Sequence, residues 1–134
     1  MLSTDKNLTI SEALQYSPLT LAFLGDCVYE QLVRERLVLN ANMPVNKLHR
    51  EAVQKVCAAF QAKGADKILT ILDETEVGIY KRGRNSSNHA VPKHSNPADY
   101  RKATGLECLF GFLHLTGNRE RMIELFDIIW NIQD

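Results

Sequence analysis

The sequence predicts an all-α fold, a helical bundle, on three observations. Apolar residues recur at intervals of three and four along most of the chain. No stretch shows the period-two alternation of a half-buried strand. Prolines and glycines fall where helices would begin and end. At 134 residues, 45% hydrophobic and 24% charged, the chain can bury a substantial core. Residues 1–134 are therefore expected to form one domain, without repeat, linker or low-complexity tract.

Ser11 is placed to cap a short turn through Tyr16, which Pro18 stops. From Leu19 to Leu39, Leu21, Leu24, Val28 and Leu32 step by three and four and predict a buried helix, with Asp26, Tyr29, Glu30 and Val33 on an adjacent face. Pro44 suits the first turn of the next helix, whose stripe is Val45, Leu48, Ala52, Val56 and Ala59, with Gly64 as its stop. Shorter helices are expected over Ala65–Leu72 and Asp73–Lys81, the second with Asp73, Glu74 and Glu76 at its positive end. Residues Gly83 to Asn96 read as a long polar loop, of a length more often functional than incidental. Asn96 and Pro97 then read as N-cap and first residue of a helix running to Leu115, which Gly117 ends. Asn118 opens a last helix whose Met122, Ile123, Leu125, Phe126, Ile129, Trp130 and Ile132 suit a deep core position or a second subunit.

No apolar run approaches the ~20 residues of a membrane span, and Met1 to Ile10 lacks the order of a signal peptide, so the expected location is cytoplasmic. Cys27, Cys57 and Cys108, odd in number and without CxxC spacing, read as small buried hydrophobes rather than disulfides or zinc ligands. Glycine-rich phosphate loops, dinucleotide fingerprints and GxSxG elbows are absent. The cysteines have no base partner that would make them nucleophiles. Net charge is zero, but its distribution is not even. Lys81, Arg82, Arg84, Lys93, Arg101 and Lys102 stand against Asp99 alone, so residues 81–102 carry +5 and the remainder −5. Such a patch on an acidic body can turn one face toward a polyanion, and a loop feeding into a helix spaces donors along a phosphate backbone.

Two segments carry the chemistry. Ala22-Phe23-Leu24-Gly25-Asp26-Cys27-Val28 and Gly105-Leu106-Glu107-Cys108-Leu109-Phe110-Gly111 each set one carboxylate in an apolar helical stretch near a glycine. A carboxylate there carries a desolvation penalty unless it is paired or binds a cation. Asp26 could instead pair with Arg34 or Arg101, and Glu107 could sit in a salt bridge. Taken together, about 80 residues apart, they make a Mg²⁺ site if their helices pack, since Mg²⁺ takes one or two carboxylates and keeps several waters. His49 and His114 read as structural, His89 and His94 as loop residues, and Tyr80 and Tyr100 as stacking or packing residues.

Phe23-Leu24-Gly25-Asp26-Cys27-Val28 resembles the signature helix of ribonuclease III catalytic domains, and Glu107 to Leu113 resembles their second acidic helix. Tyr80-Lys81-Arg82-Gly83-Arg84-Asn85, the Pro92-Lys93 pair and Ala103-Thr104-Gly105-Leu106-Glu107 are similar to the branch in which that domain stands alone, Mini-ribonuclease III. The resemblance covers Leu19 to Asn131. It implies a ribonuclease III-type helical endonuclease domain that dimerises and cleaves double-stranded RNA with Mg²⁺, the substrate being the stem of the precursor of large-subunit (23S) ribosomal RNA. Asp26 and Glu107 would be metal ligands and catalytic residues, with Lys81, Arg82, Arg84, Asn85, Lys93, Arg101 and Lys102 binding RNA. Where the wider family has further acids, this chain has Leu19, Ala22 and Thr104, which implies fewer protein ligands; Glu30 reads as an ion-pair residue. No double-stranded-RNA-binding domain is expected, so affinity would rest on the basic patch, on dimerisation and on a partner such as a large-subunit ribosomal protein. The homodimer contact is placed at Leu21, Phe23, Leu24 and Cys27, with the last helix as the rival. A non-catalytic RNA-binding module of the same fold is the alternative function, and a helical adaptor a third that leaves the basic segment idle.

Overall fold

The computed structural model describes residues 6–86 and 92–133, and among them the chain forms seven α-helices and no strand. They are α1 (Ile10–Leu14), α2 (Pro18–Asn40), α3 (Val45–Val56), α4 (Ala58–Ile68), α5 (Glu74–Ser86), α6 (Pro97–Leu115) and α7 (Arg119–Trp130), with a 3₁₀ turn at Leu69–Ile71. His89 and part of the expected polar loop lie outside the described residues, as does the start of the N-terminal segment. No helix of the described residues is long and apolar enough to cross a membrane.

Thr9 rather than Ser11 caps α1. Its hydroxyl accepts from the Glu12 N–H at 3.0 Å while the Glu12 carboxylate accepts from the Thr9 N–H at 2.9 Å. Only Thr9 has a glutamate three residues on to complete this reciprocal box. Pro18 opens α2 as it stops the preceding turn. Leu21, Val28 and Leu32 are buried as the stripe predicts, Leu24 is half-buried, and Tyr29 and Val33 also face the core. The Tyr29 ring meets Phe110 and Phe126 edge-on, and its hydroxyl donates to the Lys55 carbonyl at 2.9 Å.

Two glycines expected at helix ends lie inside helices. The break between α3 and α4 is at Cys57, whose ψ of 154° is extended, and α4 runs through Gly64. A Cβ on Gly64 would lie 2.9 Å from Ile129 Cγ2, so glycine is there to admit α7. Likewise α5 continues through Gly83 to Ser86 instead of yielding to a loop, because Gly83 packs on Cys108 of α6. Pro44 precedes α3 as its N-cap, Val45 is exposed, and Ala59 belongs to α4.

The Asp73 carboxylate accepts from the Glu76 N–H and the Glu76 carboxylate accepts from the Asp73 N–H, fixing the start of α5. Buried Glu76 also accepts both arms of the Arg121 guanidinium, which reaches on to the Ile71 carbonyl and so ties α7 to α5. Asn96 caps α6 as predicted, accepting from the Ala98 and Asp99 N–H groups. Gly117, at φ 72°, ends it. Asn118 occupies the N-cap position of α7 without a side-chain capping bond. The apolar face of α7 is buried through Met122, Leu125, Phe126 and Ile129, which settles its place in the core. Of the cysteines only Cys108 is buried; Cys27 and Cys57 are exposed, because they fall on the outward face of α2 and at the α3–α4 break.

Helix α6 is the axis of the bundle, with Ala103 to Leu113 buried apart from Glu107, which is half-buried. Helices α2, α4 and α5 surround it.

Candidate active site

Two glycines set the geometry of the site. A Cβ added to Gly25 would lie 1.6 Å from the Glu107 carbonyl oxygen, and one added to Gly111 would lie 2.0 Å from the Leu21 carbonyl oxygen. The backbones of α2 and α6 therefore touch, as only glycine at both crossing points permits. This contact sets Asp26, adjacent to Gly25, against Glu107, one helical turn before Gly111. The two carboxyl groups come within hydrogen-bonding reach. Burial first, and the Asp26 charge second, push the Glu107 carboxyl up to about 8; a hydrogen bond from Gln61 opposes them. Gln61 Nε2 donates to Glu107 Oε2 at 3.5 Å.

A buried carboxyl raised by the charge of its neighbour suits a hard cation, which removes the repulsion that a proton otherwise relieves. The donors are oxygens, the chemistry Mg²⁺ prefers to sulfur or imidazole. Among the described residues no group of three or more His, Cys, Asp or Glu side chains could hold a metal. Buried Thr104, at the position where a further acid was weighed, donates its hydroxyl to the Tyr100 carbonyl of its own helix. Ala22 is buried and apolar, and Leu19 is exposed. Arg34, weighed as a partner for Asp26, instead pairs with Glu30 one turn away, as the ion-pair reading of Glu30 expected.

The basic residues divide into two groups. Arg84, Asn85, Arg101 and Lys102 line, with Ala98, one concavity of about 370 Å³ between the end of α5 and the start of α6. Glu107 follows Lys102 by five residues on the same helix, roughly 8 Å along its axis. Lys102 also pairs with Asp66 at 3.0 Å, and the Arg84 guanidinium lies 5.8 Å from the centroid of the Tyr80 ring. Lys81 and Lys93 are exposed and lie outside that concavity. Arg82 donates to the Leu14 and Tyr16 carbonyls, so it ties α5 to the end of α1. Tyr80 is buried against Gly105 in the α5–α6 contact. His49, His94 and His114 are exposed.

Of the residues assigned to a subunit contact, Leu21 is fully buried within its own chain and is unavailable to a second one. The helical turn that points it inward turns Phe23 out, where it is 84% exposed. Phe23, Leu24 and Cys27 line a groove of about 720 Å³ along α2 that also includes Asp26, Glu30 and Arg34. Sequence reasoning missed Gln61, whose one available signal was a lone polar residue in Ala58-Ala59-Phe60-Gln61-Ala62. It also missed Gly105, a Cβ on which would lie 2.7 Å from the Tyr80 ring.

The Ribonuclease III domain family model matches residues 19–118. Mini-ribonuclease 3 of Symbiobacterium thermophilum is 42% identical over 118 residues, 88% of this chain and 91% of that protein. Mini-ribonuclease 3 of a Thermoanaerobacter species is 41% identical over 127 residues, 95% of this chain and 89% of that one. A crystal structure of a Fusobacterium nucleatum protein superposes with a TM-score of 0.79 at 32% identity, covering 86% of this chain and 93% of that chain. The acidic pair and its glycine crossing fall within the matched span, and the chain belongs to the ribonuclease III family, among its Mini-ribonuclease 3 endoribonucleases.

Proposed function

We propose that this chain is a Mg²⁺-dependent endoribonuclease that cleaves double-stranded RNA as a homodimer, acting on the stem of the large-subunit (23S) ribosomal RNA precursor. The observation that carries the reading is the Gly25–Gly111 crossing, which sets Asp26 against Glu107 on the helix that also bears Arg101 and Lys102. Asp26 and Glu107 would hold the ion. Bound there, Mg²⁺ supplies Lewis-acid activation of water and neutralises charge developing on the scissile phosphate. The chain's own residues do the rest. Arg84, Arg101 and Lys102 take phosphates of the backbone and fix its register. Asn85 adds a neutral donor at the same concavity. The close backbone contact of α2 with buried α6 holds the two carboxylates still while the duplex is placed.

One domain then both binds and cleaves, with a large-subunit ribosomal protein as a further partner that would present the stem. The dimer contact lies at Phe23, Leu24 and Cys27, where α2 leaves an apolar groove beside Asp26. A two-fold axis there would set two copies of the acidic pair in opposite directions, matching the two strands of a duplex.

The deciding experiment incubates the protein with a long RNA duplex and with the precursor stem, in Mg²⁺ and in EDTA. Cleavage in Mg²⁺ alone, leaving 5′-phosphate and 3′-hydroxyl ends and favouring the precursor stem, is the expected result. Binding without cleavage in Mg²⁺ would mark a non-catalytic RNA-binding module. Equal cleavage of both duplexes would remove the ribosomal precursor as its particular substrate.

A further inference from the structure

Gln61 is 2% exposed and sits in the first turn of α4, just after the Cys57 break. Its Nε2 donates to the Val56 carbonyl at 3.1 Å and to Glu107 Oε2 at 3.5 Å. Its Oε1 is buried and, among the described residues, has no hydrogen-bond partner. An amide oxygen left unpaired in an interior is disfavoured, and native proteins rarely keep one without a water, an ion or a function to explain it. The Val56 bond fixes which end of the amide is nitrogen, because a carbonyl only accepts. The orphan oxygen thus belongs to the amide that bonds Glu107 of the acidic pair, where the described residues offer no third metal-binding side chain. An ion held by two carboxylates keeps several waters, and each of these presents O–H donors to nearby acceptors.

We infer that Gln61 is a positioning residue of the cation site: Nε2 orients the Glu107 carboxylate, and Oε1 accepts from water in the hydration shell of the cation. The inference rests on the reading of Asp26 and Glu107 as cation ligands. A residue required only to tie the α3–α4 junction would need the Val56 bond and no more. It would give no reason for an unpaired oxygen kept on the amide that bonds Glu107.

The test is calorimetric titration with Mn²⁺, without RNA, of the wild type and of Gln61→Met, Gln61→Glu and Asp26→Asn. Methionine keeps the volume and removes donor and acceptor. Gln61→Met should bind Mn²⁺ about 10- to 100-fold more weakly, the range for partners that orient metal ligands. The Mg²⁺ concentration for half-maximal cleavage should rise to match, while duplex binding in EDTA stays unchanged. Gln61→Glu adds a third carboxylate, so its melting temperature should fall in EDTA and recover with Mn²⁺ by more than that of the wild type. Mn²⁺ binding by Gln61→Met within about twofold of the wild type overturns the inference, on the same scale of outer-shell effects. If that variant does not fold, the glutamate variant decides: equal destabilisation with and without Mn²⁺ means a structural role only. Equal Mn²⁺ binding by Asp26→Asn and the wild type would instead overturn the cation site itself, and the inference with it.

Discussion

Glu107 holds a proton at neutral pH when no cation is bound, because burial and the neighbouring Asp26 charge raise it from 4.5 to about 8. The unfolded chain releases that proton near the ordinary value. Between the two the folded state binds more protons, so this group makes metal-free stability fall as pH rises. Melting in EDTA should therefore show a melting temperature that declines from pH 5 to pH 8, a slope that Glu107→Gln removes and Mg²⁺ flattens. The same ionisation makes cation binding expel a proton below pH 8. Asp26→Asn and Glu107→Gln should each reduce cleavage by more than about 100-fold, beyond what loss of an orienting partner costs, while duplex binding in a gel-shift assay survives. Arg82 differs from its basic neighbours: its carbonyl contacts mean that Arg82→Ala should lower stability by about 1 kcal/mol or more in a urea titration.

At the scale of elements, the Gly25–Gly111 crossing outweighs any single side chain. Gly25→Ala and Gly111→Ala each force a methyl into backbone of the opposite helix, and should cost about 3 kcal/mol or more, at the upper end for overpacking. Gly78, also helical, has nothing within 4 Å of an added Cβ. Gly78→Ala should stabilise by about 0.5–1 kcal/mol, and urea unfolding of the three variants separates these cases. The contrast explains how much the sequence disclosed. Periodicity located α2, α5, α6 and α7, and the Asn96-Pro97 and Gly117 signals bounded α6, because those cues act within one turn of chain. The same periodicity ran α3 and the first part of α4 together up to Gly64 and set a separate helix over Ala65–Leu72, where α4 ends at Ile68 and a 3₁₀ turn follows. Gly64 and Gly83 carry the signals of a helix stop and a loop start, yet both lie inside helices. A glycine that ends a helix and a glycine that admits a neighbouring helix look alike until the neighbour is known. Gln61 was illegible for the same reason, since its importance comes from a residue 46 positions away. The acidic pair was legible because both members carry the same local oddity, a charge in an apolar run.

For the whole molecule, zero net charge conceals a +5 segment on a −5 body. That division predicts duplex affinity with a steep salt dependence. Replacing Lys81, Arg84 and Arg101 together by alanine should flatten the slope of log affinity against log salt by about three units, one per lost phosphate contact. An unchanged slope would place the RNA elsewhere. With the apolar face of α7 buried in the core, the groove beside exposed Phe23 is the surface proposed for a second copy. Sedimentation at micromolar concentration should give twice the chain mass of 15.2 kDa, and Phe23→Glu should give folded monomers of low activity. A Phe23→Glu dimer of normal activity would move the interface off this face.

The crossing of α2 and α6 also has a consequence in time. Asp26 is made early and Glu107 late, and nothing holds them together until Gly111 can lie on the Leu21 carbonyl. A chain still being translated therefore has no assembled centre, however well its first five helices have formed. If Asp26 and Glu107 together form the proposed centre, the emerging chain should leave the RNA of its own ribosome uncut until α6 has emerged. A fragment ending at Ser95 should accordingly show no cleavage, and adding a separate peptide that carries α6 and α7 should restore it only as far as the two pieces associate.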